Sequence, residues 1–307
     1  MLRLIGLLLA GGFLMLISCG QGHDKSPDGK LYVVCTTGMI TDLVGEIGGE
    51  RIEVDGLMGP GVDPHMFKAS QGDIRRLSEA DIIFYNGLHL EGKMTDIFEK
   101  MARSKKVIPV ASGIDSSRLI RPDEYEGAYD PHIWFDVWLW KQTIDVVLFQ
   151  LIRSDSLNRP VYEENARRYA MRLDSLHTWV HEQIASIPEE QRVLITAHDA
   201  FSYFGRSYGI QVIGLQGMST VAEYGINDVN RLVNLIVDLR IRAIFVESSV
   251  PQRSINAVKE GCAARGFDVQ IGGTLYSDAL GGPGTQAENY MDMVRSNVTT
   301  IVTALRD

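Results

Sequence analysis

Along this chain the apolar residues come in two textures. The first is a set of short β-branched and aromatic runs at Leu31–Cys35, Ile52–Leu57, Asp81–Tyr85 and Val107–Val110. A second series follows after a long gap, at Val193–Thr196, Gln211–Leu215, Ala243–Val246 and Asp268–Ile271. Helical periodicity fills the intervals, and alternation of this kind predicts βα units with parallel sheets. The second texture lies between the two series, where Tyr162, Ala166, Tyr169, Leu173, Leu176, Val180, Ile184 and Ile187 recur at three-four spacing. This predicts a single helix, opened by Asn158 and Pro160 with Glu163 and Glu164 in the first turn, and stopped by Pro188. At 1.5 Å per residue it runs about 40 Å, more than one small domain usually buries, so it is expected to join two lobes. The expected fold is therefore α/β, with two lobes, each a four-stranded mainly parallel sheet flanked by helices, joined by one long interdomain helix. The expected boundaries are 31–157 for the N-terminal lobe, 158–187 for the helix and 188–307 for the C-terminal lobe.

The first 30 residues read differently. Arg3 precedes an uncharged apolar run from Leu4 to Ile17 that ends in Leu16-Ile17-Ser18-Cys19, the form of a bacterial lipoprotein cleavage box. The run is shorter than the roughly 20 residues that span a bilayer, which predicts a signal peptide over residues 1–18 and a lipid on Cys19. Residues 19–30 are polar and punctuated by Gly and Pro, a tether reaching at most on the order of 40 Å. The expected location is outside the cytoplasm, membrane-anchored, in the periplasm or on the outer cell surface.

Composition narrows the partners. The chain carries 30 Lys and Arg against 39 Asp and Glu, a net charge of −9, and loss of the signal would remove only Arg3 from the cations. Such a surface does not attract nucleic acid, and a monomer is expected. Beyond Cys19 only Cys35 and Cys262 remain, one in a predicted strand and one in a helix of the other half, which reads as two buried apolar residues without a disulfide.

The chemistry concentrates in loops. Asp-Pro-His occurs twice, at Asp63-Pro64-His65 and Asp130-Pro131-His132. Two more metal-capable residues follow, His198 in Thr-Ala-His-Asp and Asp278 in Tyr-Ser-Asp. Proline stiffens each Asp-Pro-His turn, and the aspartate stands close enough to orient the imidazole. In open α/β sheets ligands bind beyond the carboxyl ends of the strands. His65 follows Ile52–Leu57 and a Gly59-Pro60-Gly61 loop, His198 follows Val193–Thr196, and Asp278 follows Asp268–Ile271 and a Gly272-Gly273 turn; His132 opens a helix after a longer loop. Two candidates from each lobe place a divalent ion in the interlobe cleft. Three imidazoles and a carboxylate suit zinc, with manganese open if Asp278 binds through both oxygens. Asp63, Asp130 and Glu247 are candidates to accept the free ring N–H of a ligating histidine, while Asp63 and Asp130 read equally as turn caps ahead of proline. His177 and His181, spaced i, i+4 on the long helix, read as a solvated face, and no role is read for His23 or His89.

Several stretches together resemble the TroA-like metal-binding lipoproteins of bacterial ABC importers for zinc and manganese. They are Gly56-Leu-Met-Gly-Pro-Gly-Val-Asp-Pro-His65, Tyr85-Asn-Gly-Leu-His-Leu-Glu91, Asp130-Pro-His-Ile-Trp-Phe-Asp136, Thr196-Ala-His-Asp-Ala-Phe201, Gly214-Leu-Gln-Gly217, Glu247-Ser-Ser249 and Gly272-Gly-Thr-Leu-Tyr-Ser-Asp278. The resemblance covers Lys30–Asp307. It implies that His65, His132, His198 and Asp278 are the ligands, that the partner is an ABC permease, and that the lobes shift only slightly on metal uptake. Manganese-dedicated members often carry glutamate where this chain has His198, and many zinc-dedicated members insert a histidine-rich acidic loop before the second Asp-Pro-His. This chain has neither: Gly113–Tyr129 holds Asp115, Asp123, Glu124 and Glu126 but no histidine. Zinc is slightly favoured. The competing readings are a metal-dependent hydrolase, which needs an open coordination position and a placed base, and an adhesin or interaction lipoprotein, which does not need the four ligands.

Overall fold

Parallel strand pairing organises the computed structural model, which describes residues 29–123, 125 and 127–306. The expected export signal, Cys19, nearly all of the tether, Glu124 and Glu126 lie outside the described residues. In the N-terminal lobe β1 (Leu31–Cys35), β2 (Ile52–Gly56), β3 (Ile82–Tyr85) and β4 (Lys106–Pro109) form one parallel sheet in the order β2-β1-β3-β4. The order reverses between β1 and β3, which opens a crevice at their carboxyl ends. Helix α1 (Gly38–Gly48) covers one face with Met39, Ile40, Leu43, Val44 and Ile47, a stripe of i, i+1, i+4, i+5 and i+8 positions. Helix α2 (Gln71–Glu79) starts at a reciprocal cap in which Ser70 and Asp73 bond each other's backbone N–H. Helix α3 (Thr95–Met101) lies between β3 and β4.

Two short helices, α4 (Val137–Lys141) and α5 (Thr143–Ser154), lead into α6 (Arg159–Ala185), the long helix. All eight of its predicted apolar positions, including Ile187 just beyond its end, are buried. They do not stand in the open as a bare strut. The apolar face of α6 is embedded in one core cluster with Val33 and Trp140 from one lobe and Phe201, Phe245 and Tyr290 from the other. At about 1.5–3 kcal/mol for each large side chain removed from water, this face binds the lobes strongly.

The C-terminal lobe carries its four strands as two parallel pairs. One pair is β5 (Val193–His198) with β6 (Gln211–Gln216), and the other is β7 (Ala243–Glu247) with β8 (Gln270–Leu275); β5 packs alongside β7. Helices α7 (Ser202–Tyr208), α8 (Ile226–Asp238), α9 (Arg253–Ala263) and α10 (Tyr290–Arg306) flank them. The expected turn at Gly272-Gly273 is a correction, because both glycines lie inside β8. They serve close packing: a Cβ on Gly272 would stand 2.8 Å from both Ala304 Cβ and Phe245 Cε1, and one on Gly273 would stand 2.5 Å from Thr300 Cγ2. Cys35 and Cys262 are buried free thiols in separate lobes. Among the described residues no helix is long and apolar enough to cross a membrane.

Candidate metal centre

The four candidate residues converge. One donor atom from each of His65, His132, His198 and Asp278 lies within 4.8 Å of all the others, and all four side chains are buried. The elements that deliver them explain why. His198 is the last residue of β5, and Asp278 comes three residues after β8, so both project from carboxyl ends of strands. His65 rides on the loop after β2. His132 precedes a tight turn at Ile133–Phe135, which Asp136 converts into α4 by accepting the Leu139 N–H at 3.0 Å.

Asp278 is the hub. Its Oδ2 lies 3.2 Å from His198 Nε2 and 3.8 Å from His65 Nε2, and its Oδ1 lies 3.5 Å from His132 Nε2. The Nε2 atoms of His65 and His132 are 3.3 Å apart. Both Asp278 oxygens and His198 Nε2 are buried and make no hydrogen bond. A buried carboxylate left so is costly, by several kcal/mol, unless a cation completes its surroundings. Three neutral nitrogen donors and two carboxylate oxygens around one point suit a divalent first-row ion with four or five donor atoms.

The supports behind the rings differ from one histidine to the next. Asp130 Oδ1 receives the His132 backbone N–H at 2.9 Å and lies 2.7 Å from His132 Nδ1, so it fixes both the loop and the ring. Glu247, at the end of β7, sets Oε2 2.6 Å from His198 Nδ1, while its Oε1 accepts the Ala197 and His198 backbone N–H groups at 2.7 and 2.9 Å. Asp63 takes the turn-cap alternative and does not hold the ring of His65. Its Oδ1 accepts the His65 backbone N–H at 2.8 Å, and its Oδ2 accepts the Thr220 hydroxyl at 2.6 Å. The Asx turn ahead of proline uses one oxygen and the opposite lobe takes the other. Thr220 carried no sequence signal, because its partner lies 157 residues away.

Electrostatics prepares the centre unevenly. Burial holds the His65 imidazole down to about 3 despite the pull of Asp278, so it is neutral and ready to donate near neutral pH. At His198 burial also lowers the pKa, but Glu247 and Asp278 overcome it and lift the group well above the ordinary imidazole value. Burial would raise Asp278, yet the imidazoles of His198, His132 and His65 outweigh it and hold the carboxyl far below the usual range. His181 is exposed and His177 half-buried, packed on Tyr208 with Nδ1 3.1 Å from the hydroxyl, and neither belongs to the four-residue cluster. His89 is exposed on the loop after β3.

A two-lobe α/β frame around a buried three-histidine, one-carboxylate centre defines a metal-binding receptor of the solute-binding class. The chain belongs to the family described as ZnuA, zinc-uptake complex component A, periplasmic, whose profile matches residues 33–304. It is 46% identical over 304 residues to the manganese-binding lipoprotein MntA of Bacillus subtilis, covering 98% of this chain and 99% of that one. It is 43% identical over 304 residues to the zinc-binding protein TroA of Treponema pallidum, covering 99% and 98%. The solved structure of the periplasmic zinc-binding protein TroA from Treponema pallidum superimposes with a TM-score of 0.89 over 91% of this chain and 100% of that one, at 43% identity.

Proposed function

We propose that this protein captures a divalent transition metal, zinc or manganese, in the cleft between its lobes and delivers it to the membrane permease of an ABC importer. His65, His132, His198 and Asp278 are the ligands in this reading. The observation that carries it is the group of buried, unbonded polar atoms, His198 Nε2 and both oxygens of Asp278, facing one another inside a protein whose family serves metal uptake. The cargo is zinc or manganese because relatives of similar identity bear both names. With both oxygens of Asp278 aimed at imidazoles, a five-donor shell fits either ion. Equilibrium affinity favours zinc over manganese at such a site, so supply decides which ion is carried.

The same reading extends to the rest of the chain. Residues 1–18 direct export, Cys19 carries the lipid, residues 19–30 tether a monomer outside the cytoplasmic membrane, and 31–157, 158–187 and 188–307 are lobe, linking helix and lobe. The protein performs no catalysis, since the family is one of transport receptors and the four donors close around the ion rather than leave a position for a substrate.

The test is direct. Protein purified from its own cell without added metal should contain one ion per chain by mass spectrometry, and chelator-stripped protein should take up one Zn2+ or one Mn2+. A stripped, folded protein that binds neither ion would refute the proposal.

A further inference from the structure

The four donors are not held alike, and the difference assigns them different parts in exchange of the ion. His132 belongs to the N-terminal half of the chain, yet its segment is fastened to the other half at several points. The Tyr203 hydroxyl donates to the Asp130 carbonyl at 2.9 Å, and Tyr208 Oη accepts the Val137 N–H at 3.3 Å. Trp134 Nε1–H donates to the Ser277 carbonyl at 3.0 Å, and the Tyr290 hydroxyl donates to the Trp134 carbonyl at 2.8 Å. Phe135 and Phe201 stack with ring centroids 4.1 Å apart. These contacts are buried and join the neighbours of His132 to the neighbours of His198 and Asp278. Three donors thus form one fixed platform.

His65 stands apart from that platform. Its loop leaves β2 through two backbone bonds, Leu57 N–H to the Cys35 carbonyl and Met58 N–H to the Thr36 carbonyl, both within its own lobe. From Gly59 to Ala69, among the described residues and apart from the contacts of the His65 ring itself, one hydrogen bond reaches the opposite lobe. That bond is the Thr220 hydroxyl on Asp63 Oδ2, at 2.6 Å. The other oxygen of the same carboxylate holds the His65 backbone N–H. Closure of the cleft and placement of His65 therefore run through one side chain.

We propose that Thr220 and Asp63 form a latch that sets the residence time of the ion, with the His65 loop as the moving ligand arm and His132, His198 and Asp278 as the stationary three. Thr220 is a positioning residue here: it touches no ion and acts through Asp63. This rests on the four-ligand reading given above. With the latch open the ion keeps three protein donors and gains an exposed side, a form that a permease or a chelator can attack. A latch bond that must break before the ion leaves appears mainly in the dissociation rate.

The test is stopped-flow release of Zn2+ from the loaded, full-length folded domain into excess fluorescent chelator. Thr220→Val removes the hydroxyl at nearly constant volume and should speed release roughly tenfold to hundredfold, the Boltzmann weight of one charge-assisted hydrogen bond. Thr220→Ser should restore the wild-type rate, and the melting temperature of the metal-free variants should match wild type, which a general loss of structure would not allow. Release from Thr220→Val at the wild-type rate, or a Thr220→Ser variant as fast as Thr220→Val, overturns the latch. The four-ligand reading fails separately, if wild-type protein does not bind one Zn2+ per chain or if His65→Ala holds it as tightly.

Discussion

Glu247 grips His198 from two sides: one carboxylate oxygen takes the His198 backbone N–H at 2.9 Å, and the other lies 2.6 Å from its ring Nδ1. The same oxygen that takes the His198 amide also takes that of Ala197. The carboxylate thus stands where a neighbouring strand would otherwise receive the last amides of β5. One residue closes the sheet end and aims a donor.

Two substitutions separate those tasks. Glu247→Gln keeps an oxygen for the two backbone N–H groups but removes the charge behind the ring, so metal affinity should fall about tenfold to a hundredfold with the fold retained. Glu247→Ala strands two buried N–H groups, each costing about 1–3 kcal/mol, and should lower the melting temperature of the metal-free protein as well. Calorimetric titration together with thermal melts reads both. Equal melting temperatures for the two variants would show that Glu247 does not bear the strand end.

The four candidate ligands should also differ among themselves. His65→Ala should weaken Zn2+ binding by orders of magnitude and leave the metal-free melting temperature near wild type, because its loop has little else to support. His198→Ala should weaken binding as much and destabilise the metal-free protein in addition, since it leaves the buried carboxylates of Glu247 and Asp278 without their imidazole. His181→Ala should change neither. Loss of Zn2+ from the His181 variant comparable to that from the His65 variant would contradict the ligand assignment.

Metal should also stabilise the fold, because the four donors come from distant parts of the chain and are assembled only in the native state. A ligand confined to the native state adds RT ln(1 + [L]/Kd), about 4 kcal/mol at a thousandfold excess over Kd. Scanning calorimetry of stripped and reloaded protein should show a clear rise in melting temperature. Coincident transitions would count against the interlobe centre.

Much of this arrangement was legible because strands and helices write distinct apolar periods. Each predicted strand lies within a few residues of an observed one, and every apolar position predicted on the long helix is buried. The convergence of the four candidate residues was legible because loops at strand carboxyl ends are where α/β folds bind ligands. What escaped was long-range. Gly272 and Gly273 read as a turn, since a glycine pair that admits Phe245, Ala304 and Thr300 looks the same in sequence as one that bends the chain. Asp63 and Asp130 read alike in sequence, each as a ring partner or a turn cap ahead of proline. The local motif is the same, but the second oxygen is claimed by Thr220, and no local pattern announces a partner that distant.

The pH dependence of binding follows from the unequal preparation of the imidazoles. Three free histidines would lose up to about a thousandfold in affinity per pH unit well below a pKa of about 6.5. This centre should behave otherwise. His65, held down to about 3 by burial, keeps its lone pair across the whole range from pH 7 to pH 5 and adds no proton competition there. His198, against the effect of burial, is lifted well above the ordinary value by Glu247 and Asp278, so in the metal-free protein it carries a proton at neutral pH that the ion must expel. Its contribution to metal-free stability has the matching sign: a raised folded pKa stabilises fully below the unfolded value of about 6.5 and is lost as pH climbs through the folded value. Two outcomes follow. Zn2+ affinity should fall by about tenfold per pH unit from His198 alone as pH drops from 7 to 5, with about one proton released per ion at pH 7, read from titrations in buffers of different ionisation enthalpy. The rise in melting temperature on adding Zn2+ should grow from pH 5 to pH 8, because the bound form gains affinity while the metal-free form loses the protonated His198 contacts. An affinity that stays flat from pH 7 to pH 5, or binding without proton release, would mean that His198 meets the ion already neutral and that the two carboxylates beside it do not hold its proton.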